Sequence, residues 1–155
     1  MAEKEEKVKK TRKTKTRNTV RGMTFIVGAS RLGASMAAIL NEQNSDVMVI
    51  DKDPMAFNKL PDSYGGGQSI GDALDTDFLV HLGVDSAQRV ILVTEDDNVN
   101  LLLSLICCHI YKIPRIYLRL HDVTKANLLK NTHIRAFFPF NSSMADLIKL
   151  MEEEV

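Results

Sequence analysis

A glycine-rich turn is the first place in the sequence where residue types and spacing could do chemistry. Gly28, Ser30 and Gly33 follow the pattern G-x-G-x-x-G, except that serine replaces the middle glycine. The first glycine allows a tight turn after an apolar run, and the last allows the next helix to lie close to that run. The backbone N–H groups of Ser30 to Gly33 and the helix dipole would favour a phosphate group here.

Ser30 leaves the strength of this site open, because a glycine normally lets backbone approach a pyrophosphate closely. Its hydroxyl could donate a hydrogen bond to a phosphate, or its bulk could weaken binding. A plain strand-to-helix turn without any ligand is the third alternative.

An acid stands at the interval that a bound nucleotide would require. Asp51 ends a second apolar run, 18 positions after Gly33, where a carboxylate accepts hydrogen bonds from the hydroxyls of an adenosine ribose. A carboxylate there repels a 2′-phosphate, which argues against NADP, although Lys52 partly offsets the repulsion. The alternative for Asp51 is a solvated acid at the end of a strand.

Two further polar groups follow later runs. Asp72 either bonds the edge of an adenine or caps the next helix. The segment Thr94-Glu95-Asp96-Asp97 lies across the predicted crevice from the glycine turn, and there we expect Thr94 or Asp96 to cap a helix. We expect Asn100 to hold this turn or to pack that helix.

The elements that position these residues alternate along the chain. Six short β-branched or apolar runs predict strands at 23–27, 47–50, 68–70, 89–93, 115–120 and 134–138. Helical patterns lie between them, at 32–40, 54–60, 75–82, 97–111 and 125–129, and a last helix runs from Ser142 or Ser143, as its cap, to the end. Strict alternation predicts an α/β fold with a doubly wound, parallel six-stranded sheet, Rossmann-like, in the order 3-2-1-4-5-6.

Two helices show an apolar face that we expect to be buried. In the first helix this face holds Leu32, Met36, Ile39 and Leu40. In the helix at 97–111 it holds Val99, Leu102, Leu103, Ile106 and Ile110.

Composition is that of one soluble globular domain. The chain has 155 residues, of which 45% are hydrophobic and 26% charged, and it contains no apolar run of the roughly 18 residues that a membrane helix needs. Its two cysteines, Cys107 and Cys108, are adjacent. Neighbouring helical residues point about 100° apart, so we expect free thiols in a reducing compartment.

Charge is distributed unevenly. Residues 1–21 hold nine basic and three acidic side chains, and the rest of the chain holds 11 basic and 17 acidic ones. We therefore expect a basic, flexible extension at 1–21 and a folded nucleotide-binding domain at 22–155. An acidic domain is a poor general binder of nucleic acid. The extension is either a solvated tail or a contact with an anionic membrane surface or an acidic partner.

With these residues placed, the chain resembles the N-terminal lobe of regulator-of-potassium-conductance (RCK) domains, which occurs in cytosolic regulatory subunits of Trk/Ktr-type potassium transporters. The resemblance covers roughly residues 23–151. The arginine inside the glycine turn and the Gly-Asp-Ala after the third strand separate this lobe from ordinary dehydrogenases. The matching elements are Gly28-Ala29-Ser30-Arg31-Leu32-Gly33, Asp51, Gly71-Asp72-Ala73, Thr94-Glu95-Asp96-Asp97 with Asn100, Arg119, and Phe138-Pro139.

The resemblance implies a cytoplasmic nucleotide sensor at the inner face of the cell membrane. Such lobes bind NAD(H) or an adenine nucleotide (ATP, ADP or AMP), assemble as homodimers or larger rings, and gate a membrane potassium transporter or channel. It implies that Arg31 reaches ligand phosphates, either in its own subunit or in a neighbouring one; the alternative is a solvent-facing arginine. The implied ligand-binding residues are Gly28, Ala29, Ser30, Arg31, Leu32, Gly33, Asp51, Lys52, Asp72, Ala73, Thr94 and Glu95.

Two departures limit the resemblance, and both bear on function. Ser30 replaces the middle glycine, which leaves the choice of ligand open. The sequence ends at Val155 without the second, smaller lobe that many members carry, so it is either a single-lobe member or a truncated one.

The competing functional class is a fragment of an NAD-dependent oxidoreductase, and a ligand-free scaffold of the same fold is the other alternative. A dehydrogenase needs a substrate domain and a proton donor beside the nicotinamide. The four histidines are scattered, and only His121 lies near the predicted crevice, where we expect it to lack an orienting partner. The sequence therefore favours a binding domain that is not an enzyme.

Overall fold

The structure, a computed structural model, describes residues 22–153. The basic extension expected at 1–21 lies outside the described residues. The strands are β1 (Thr24–Val27), β2 (Val47–Asp51), β3 (Gly67–Ile70), β4 (Arg89–Leu92), β5 (Arg115–Arg119) and β6 (Arg135–Phe137). The α-helices are α1 (Arg31–Glu42), α2 (Thr76–Leu82), α3 (Asp97–His109) and α4 (Pro139–Glu152), and 3₁₀ helices cover Pro54–Lys59, Val84–Ser86 and Val123–Leu129.

The sheet has the predicted architecture. All pairs are parallel, and the strand order is β3-β2-β1-β4-β5-β6, so the expected Rossmann-like order 3-2-1-4-5-6 is confirmed. In the centre, Ile26 of β1 lies opposite Val49 of β2 and Ile91 of β4. The strands of the first half, β2 and β3, lie on one side of β1, and those of the second half, β4 to β6, lie on its other side. This reversal of strand order opens a crevice at the carboxyl ends of β1 and β4.

The core consists of two apolar layers, one on each face of the sheet. Successive residues of a strand point to opposite faces, so Phe25 belongs to one layer and Ile26 to the other. Leu103 of α3 packs in the first layer and Ala37 of α1 in the second. Each face of the sheet is thus covered by a helix that begins near the crevice.

The buried face of α3 differs from the predicted one. Leu103 is buried, but Leu102 is 50% exposed and Ile110, which follows the helix, is 68% exposed. In the first helix, likewise, Ile39 is exposed and Leu40 buried. The buried residues of α3 are Asp97, Asn100, Leu101, Leu103, Ser104, Cys107 and Cys108.

The physical reason is that polar side chains occupy buried positions of α3. Asn100 donates to the carbonyl oxygens of Thr94 and Arg119, and Ser104 donates to that of Leu101. A polar group that is hydrogen-bonded can be buried without a large cost. A search for apolar residues alone therefore selects the wrong face.

The last helix also begins earlier than predicted. It starts at Pro139 and therefore includes Ser142 and Ser143. Phe138 occupies the N-cap position, and its side chain makes no capping hydrogen bond. Proline suits the first helical position because the N–H that it lacks would have no partner there. Ser142 donates to the carbonyl oxygen of Phe138 instead of capping. No residue of α4 is buried.

Within residues 22–153, the helices are too short or too polar to span a lipid bilayer.

Candidate ligand-binding site

The glycine turn between β1 and α1 requires both of its glycines. Gly28 has a φ of +105°, and a Cβ atom there would lie 2.7 Å from the backbone nitrogen of Thr94. A Cβ atom on Gly33 would lie 2.0 Å from the carbonyl oxygen of Gly28. The turn therefore packs against the end of β4 on one side and against the first turn of α1 on the other.

Ser30 caps α1, which determines what its hydroxyl does in this structure. Its Oγ accepts a hydrogen bond from the N–H of Gly33 at 3.2 Å and donates one to the carbonyl oxygen of Val93 at 3.0 Å. The hydroxyl proton is therefore directed at Val93, the residue that follows β4. Because Gly33 uses its N–H in this cap, the expected set of phosphate-binding N–H groups shrinks to those of Ser30, Arg31 and Leu32. These three make no hydrogen bond within residues 22–153.

Asp51 connects the end of β2 to the glycine turn. One carboxylate oxygen accepts from the N–H of Ala29 at 2.7 Å, and the other accepts from the N–H of Asp53 at 2.9 Å. A carboxylate has about four acceptor positions, so two remain for other donors. Asp51 is thus more than a solvated acid at a strand end, since it holds the turn in place.

A cavity of about 560 Å³ opens at the carboxyl ends of β1, β2, β3 and β4. Ten of the twelve expected binding residues line it, and Leu32 and Gly33 lie outside its lining. The lining residues are Val27, Gly28, Ala29, Ser30, Arg31, Ile50, Asp51, Lys52, Asp53, Ala56, Lys59, Gly71, Asp72, Ala73, Leu74, Thr94, Glu95, Asp96 and Val99.

Sequence reasoning missed Lys59, a third cation at this cavity. It lies in the last turn of the 3₁₀ helix Pro54–Lys59 and is exposed, like Arg31 and Lys52. No motif surrounds it, and only the return of this helix over the end of β2 brings it to the cavity. The cavity combines these cations with a cluster of carboxylates, so a ligand there would meet charges of both signs.

The two interpretations of Asp72 can now be compared. Its Oδ1 accepts from the N–H of Leu74 at 2.9 Å, while Asp75 is the residue that caps α2, through the N–H of Phe78. The helix-capping alternative for Asp72 is therefore wrong. Asp72 is exposed and lines the cavity beside buried Ala73.

Asn100 organises the turn between β4 and α3. Its Oδ1 accepts from the backbone N–H and the hydroxyl of Thr94, at 3.1 and 2.7 Å, and its Nδ2 donates to the carbonyl oxygens of Thr94 and Arg119, both at 3.0 Å. The side chain is fully buried. Asp96 caps α3, accepting from the N–H groups of Asn98 and Val99. Asn100 thus fixes the far wall of the cavity.

Arg119 reinforces the same wall from β5. One of its terminal nitrogens lies 2.8 Å from the carbonyl oxygen of Thr94, to which it donates, and 3.0 Å from a carboxylate oxygen of Glu95. Arg119 is buried and Glu95 is exposed. Glu95 lines the cavity and Arg119 does not, so Arg119 acts on the cavity only by holding Glu95 and the carbonyl of Thr94.

His121 has an orienting partner, contrary to expectation. Its Nδ1 lies 3.1 Å from Oδ1 of buried Asp97. The same carboxylate accepts from the backbone N–H groups of His121 and Asp122 at 2.9–3.0 Å. Burial alone would raise the pKa of Asp97, but the hydrogen bonds from Asp122 and His121 outweigh it and hold the pKa below its ordinary value.

The Asp97–His121 pair connects the start of α3 to the loop after β5, and neither residue lines the cavity. Lys125 completes this connection by donating to Oδ1 of Asn98 at 2.9 Å. The arrangement stabilises the loop.

Comparison with known proteins gives a family match over most of the chain. The family model described as the TrkA-N domain matches residues 24–138. The chain is 29% identical over 109 residues to the Trk system potassium uptake protein TrkA of Streptomyces coelicolor, which covers 70% of this chain and 49% of that protein. The chain thus spans about half the length of this curated relative.

Solved structures show the same fold. The GsuK channel bound to NAD has a TM-score of 0.72 and 25% identity, covering 85% of this chain and 23% of that chain. GsuK bound to ADP has the same score and identity, covering 88% of this chain and 35% of that one. In both of these structures GsuK is bound to a ligand that contains adenosine, NAD in one and ADP in the other.

Proposed function

Because the chain belongs to the TrkA-N domain family, we propose that it is a nucleotide-binding regulatory domain that controls a membrane potassium transporter or channel. One observation carries this proposal. The cavity brings unused N–H groups of a helix start, the carboxylate of Asp51 and three cations together at the carboxyl ends of the central strands. That location is where ligands bind in open α/β sheets.

Each part of an adenine nucleotide or of NAD(H) has a chemical counterpart in the cavity. The N–H groups of Ser30, Arg31 and Leu32 and the guanidinium of Arg31 would bind phosphate oxygens. The free acceptor positions of Asp51 would bind ribose hydroxyls, with Lys52 beside them. Asp72 and Ala73 would meet the adenine, and the Thr94-Glu95 turn forms the opposite wall.

The same site argues for regulation over catalysis. The Asp97–His121 pair resembles an oriented base, but its carboxylate is already occupied by two backbone N–H groups and it lies outside the cavity lining. A longer relative, of which the match covers 49%, is a Trk system potassium uptake protein. The function that fits both facts is reversible binding, with nucleotide exchange altering a potassium pathway.

A second copy of the chain is the proposed partner of α4, next to the membrane protein. Helix α4 carries exposed apolar side chains at Phe140, Met144, Leu147, Ile148, Leu150 and Met151. An uncovered apolar face of this extent is typical of an interaction surface. We therefore propose a homodimer or larger ring in the cytoplasm, at the inner face of the membrane, where the basic extension at 1–21 would meet anionic lipid.

The proposal is tested by thermal unfolding of the full chain with ATP, ADP, AMP, NAD⁺ and NADH. A ligand at about 100 times its Kd stabilises a domain by about 2.7 kcal/mol, which corresponds to a rise in Tm of roughly 5–10 °C. The Arg31→Ala variant should lose most of this rise with phosphorylated ligands. If none of the five ligands raises Tm, the chain is a ligand-free scaffold. Steady turnover of NADH with a carbonyl substrate would instead identify an oxidoreductase.

A further inference from the structure

Far from the cavity, a thiol and an imidazole meet at the other end of α3. Cys107 and Cys108, the two cysteines of the chain, lie in the last turns of this helix and are both buried. The Sγ of Cys108 lies 3.8 Å from Nδ1 of His133, which precedes β6 and is 25 positions away in the chain. Among the described residues, Cys107 makes no such contact.

The hydrogen bond that His133 makes to the backbone determines which of its ring nitrogens carries the proton and which can act as a base. Its Nε2 lies 2.7 Å from the carbonyl oxygen of Ile113. A carbonyl oxygen only accepts, so Nε2 must carry a proton. In the neutral ring Nδ1 then holds a lone pair, and this lone pair is available to the proton of the Cys108 thiol. A nucleophile, a base and a group that orients the base are thus in contact.

The two neighbouring cysteines differ in their surroundings. Cys107 is 1% exposed, and burial, with a smaller effect of Cys108, raises its pKa to about 12. It therefore stays a neutral thiol at physiological pH, which is the unreactive form. Cys108 is 7% exposed and contacts His133, which is itself exposed. The contact between sulfur and imidazole consequently lies at the boundary between core and solvent.

We propose that Cys108 is an oxidation site, at which the thiol reacts with hydrogen peroxide and His133 acts as its base. His133 takes the thiol proton on Nδ1, and the sulfur attacks one peroxide oxygen. The S–O bond forms while the O–O bond breaks, and the departing hydroxide takes the proton from Nδ1 and leaves as water. Sulfur loses two electrons and the peroxide gains two, so the product is a sulfenic acid.

Oxidation of Cys108 should lower the free energy of unfolding of the chain. Cys108 belongs to the apolar layer that includes Leu103 and Ile116. Protein interiors are close-packed, so an added polar oxygen has little room there. The oxidised chain should therefore be less stable than the reduced one. This consequence does not depend on nucleotide binding.

The test uses two full-length variants that each keep one cysteine, Cys107→Ala and Cys108→Ala. Each is treated with hydrogen peroxide and dimedone, and the sulfenic acid adduct is followed by intact-mass spectrometry. We expect the chain that retains Cys108 to react at least about tenfold faster, a conservative bound below the roughly 10²–10⁴-fold that a positioned base contributes. In guanidinium chloride the two chains should react at the same rate, because the difference arises from folding.

The role of the base is tested by adding His133→Gln to the chain that retains Cys108. Its rate should fall toward that of the Cys107 thiol, while circular dichroism confirms that the variant is folded. Equal rates for the two single-cysteine chains in the folded state would overturn the proposal. That comparison keeps His133 unchanged, so it holds even if the histidine variant does not fold. A folded His133→Gln variant with an unchanged rate would overturn the assignment of the base.

Discussion

The carboxylate of Asp51 accepts a hydrogen bond from the backbone N–H of Ala29 at 2.7 Å, across 22 positions of the chain. The residue expected to hold a ribose thus also holds the turn expected to hold phosphates. A ligand that donates hydrogen bonds to the remaining acceptor positions of Asp51 would therefore affect the ribose site and the glycine turn together. This relationship couples the occupancy of the site to the geometry at the start of α1.

Replacing Asp51 with alanine should affect both stability and binding. The N–H groups of Ala29 and Asp53 would lose their acceptor, and a partly buried donor left without a partner costs about 1–3 kcal/mol. Asp62→Ala is the matched control, because Asp62 is exposed and lies outside the cavity lining. Chemical denaturation should show the loss for Asp51→Ala alone. Equal stabilities of the two variants would contradict the role given to the Ala29 contact.

Gly33→Ala should destabilise the chain, because the new Cβ atom would lie 2.0 Å from the carbonyl oxygen of Gly28. Backbone must shift to relieve this contact, and overpacking of that kind costs about 1–3 kcal/mol. Gly22→Ala is a control with the same chemical change, since nothing lies within 4 Å of its Cβ position. Thermal melts of the two variants should differ by several degrees. A tolerated Gly33→Ala would show that the turn is looser than the structure has it.

Asn100→Leu should weaken the wall of the cavity formed by Thr94. The change removes four hydrogen bonds from a fully buried site and leaves the N–H of Thr94 without its acceptor. Mutations that break a buried network commonly cost more than about 2 kcal/mol. The same change at Asn127, which is exposed, serves as the control. Urea denaturation should show a clear loss in the free energy of unfolding for Asn100→Leu and almost none for the control variant.

Acid should remove part of the stability through Asp97. Its pKa is lower in the folded chain than its ordinary value of 3.8, so the folded state binds this proton less readily than the unfolded one. The stabilisation is present above the unfolded value and is lost as pH falls through the folded one. Asp97→Asn should therefore cost most above about pH 4. If the difference in the free energy of unfolding between the parent chain and Asp97→Asn stayed constant from pH 7 to pH 2, this prediction would be contradicted.

The apolar face of α4 should support self-association. Leu147→Glu places a charge among exposed apolar side chains, and Asn141→Glu makes the same change of charge at a polar position of the helix. Sedimentation equilibrium should show a dimer or larger assembly for the parent chain and for Asn141→Glu, and a monomer for Leu147→Glu. A monomeric parent chain at all concentrations would remove the proposal of a second copy at α4.

The sequence allowed the sheet order and most of the cavity to be predicted. The apolar runs of β1 and β2 and the glycine at each end of the turn obey rules that act over a few residues. The position of Asp51 follows from them, because the carboxyl ends of neighbouring parallel strands meet at one edge. Local rules were therefore sufficient to place most, but not all, of the residues that line the cavity.

The errors arose where distant residues satisfy one another. Leu102 was assigned to the core from the spacing of apolar residues alone, whereas the buried position of Asn100 depends on a hydrogen bond to the carbonyl oxygen of Arg119, 19 positions away. His121 and Asp97 are 24 positions apart and meet because the start of α3 lies beside the end of β5. Lys59 reaches the cavity through a 3₁₀ helix whose path no local pattern specifies.

Isothermal titration calorimetry of the full chain with ADP and with NAD⁺ is the decisive test of nucleotide binding at this cavity. We expect saturable binding of at least one of them to the parent chain and to Asp62→Ala, and a loss of at least about tenfold in affinity for Asp51→Ala, the equivalent of about 1.4 kcal/mol. Absence of binding by both ligands at millimolar concentration, or equal affinity in Asp51→Ala, would contradict this expectation.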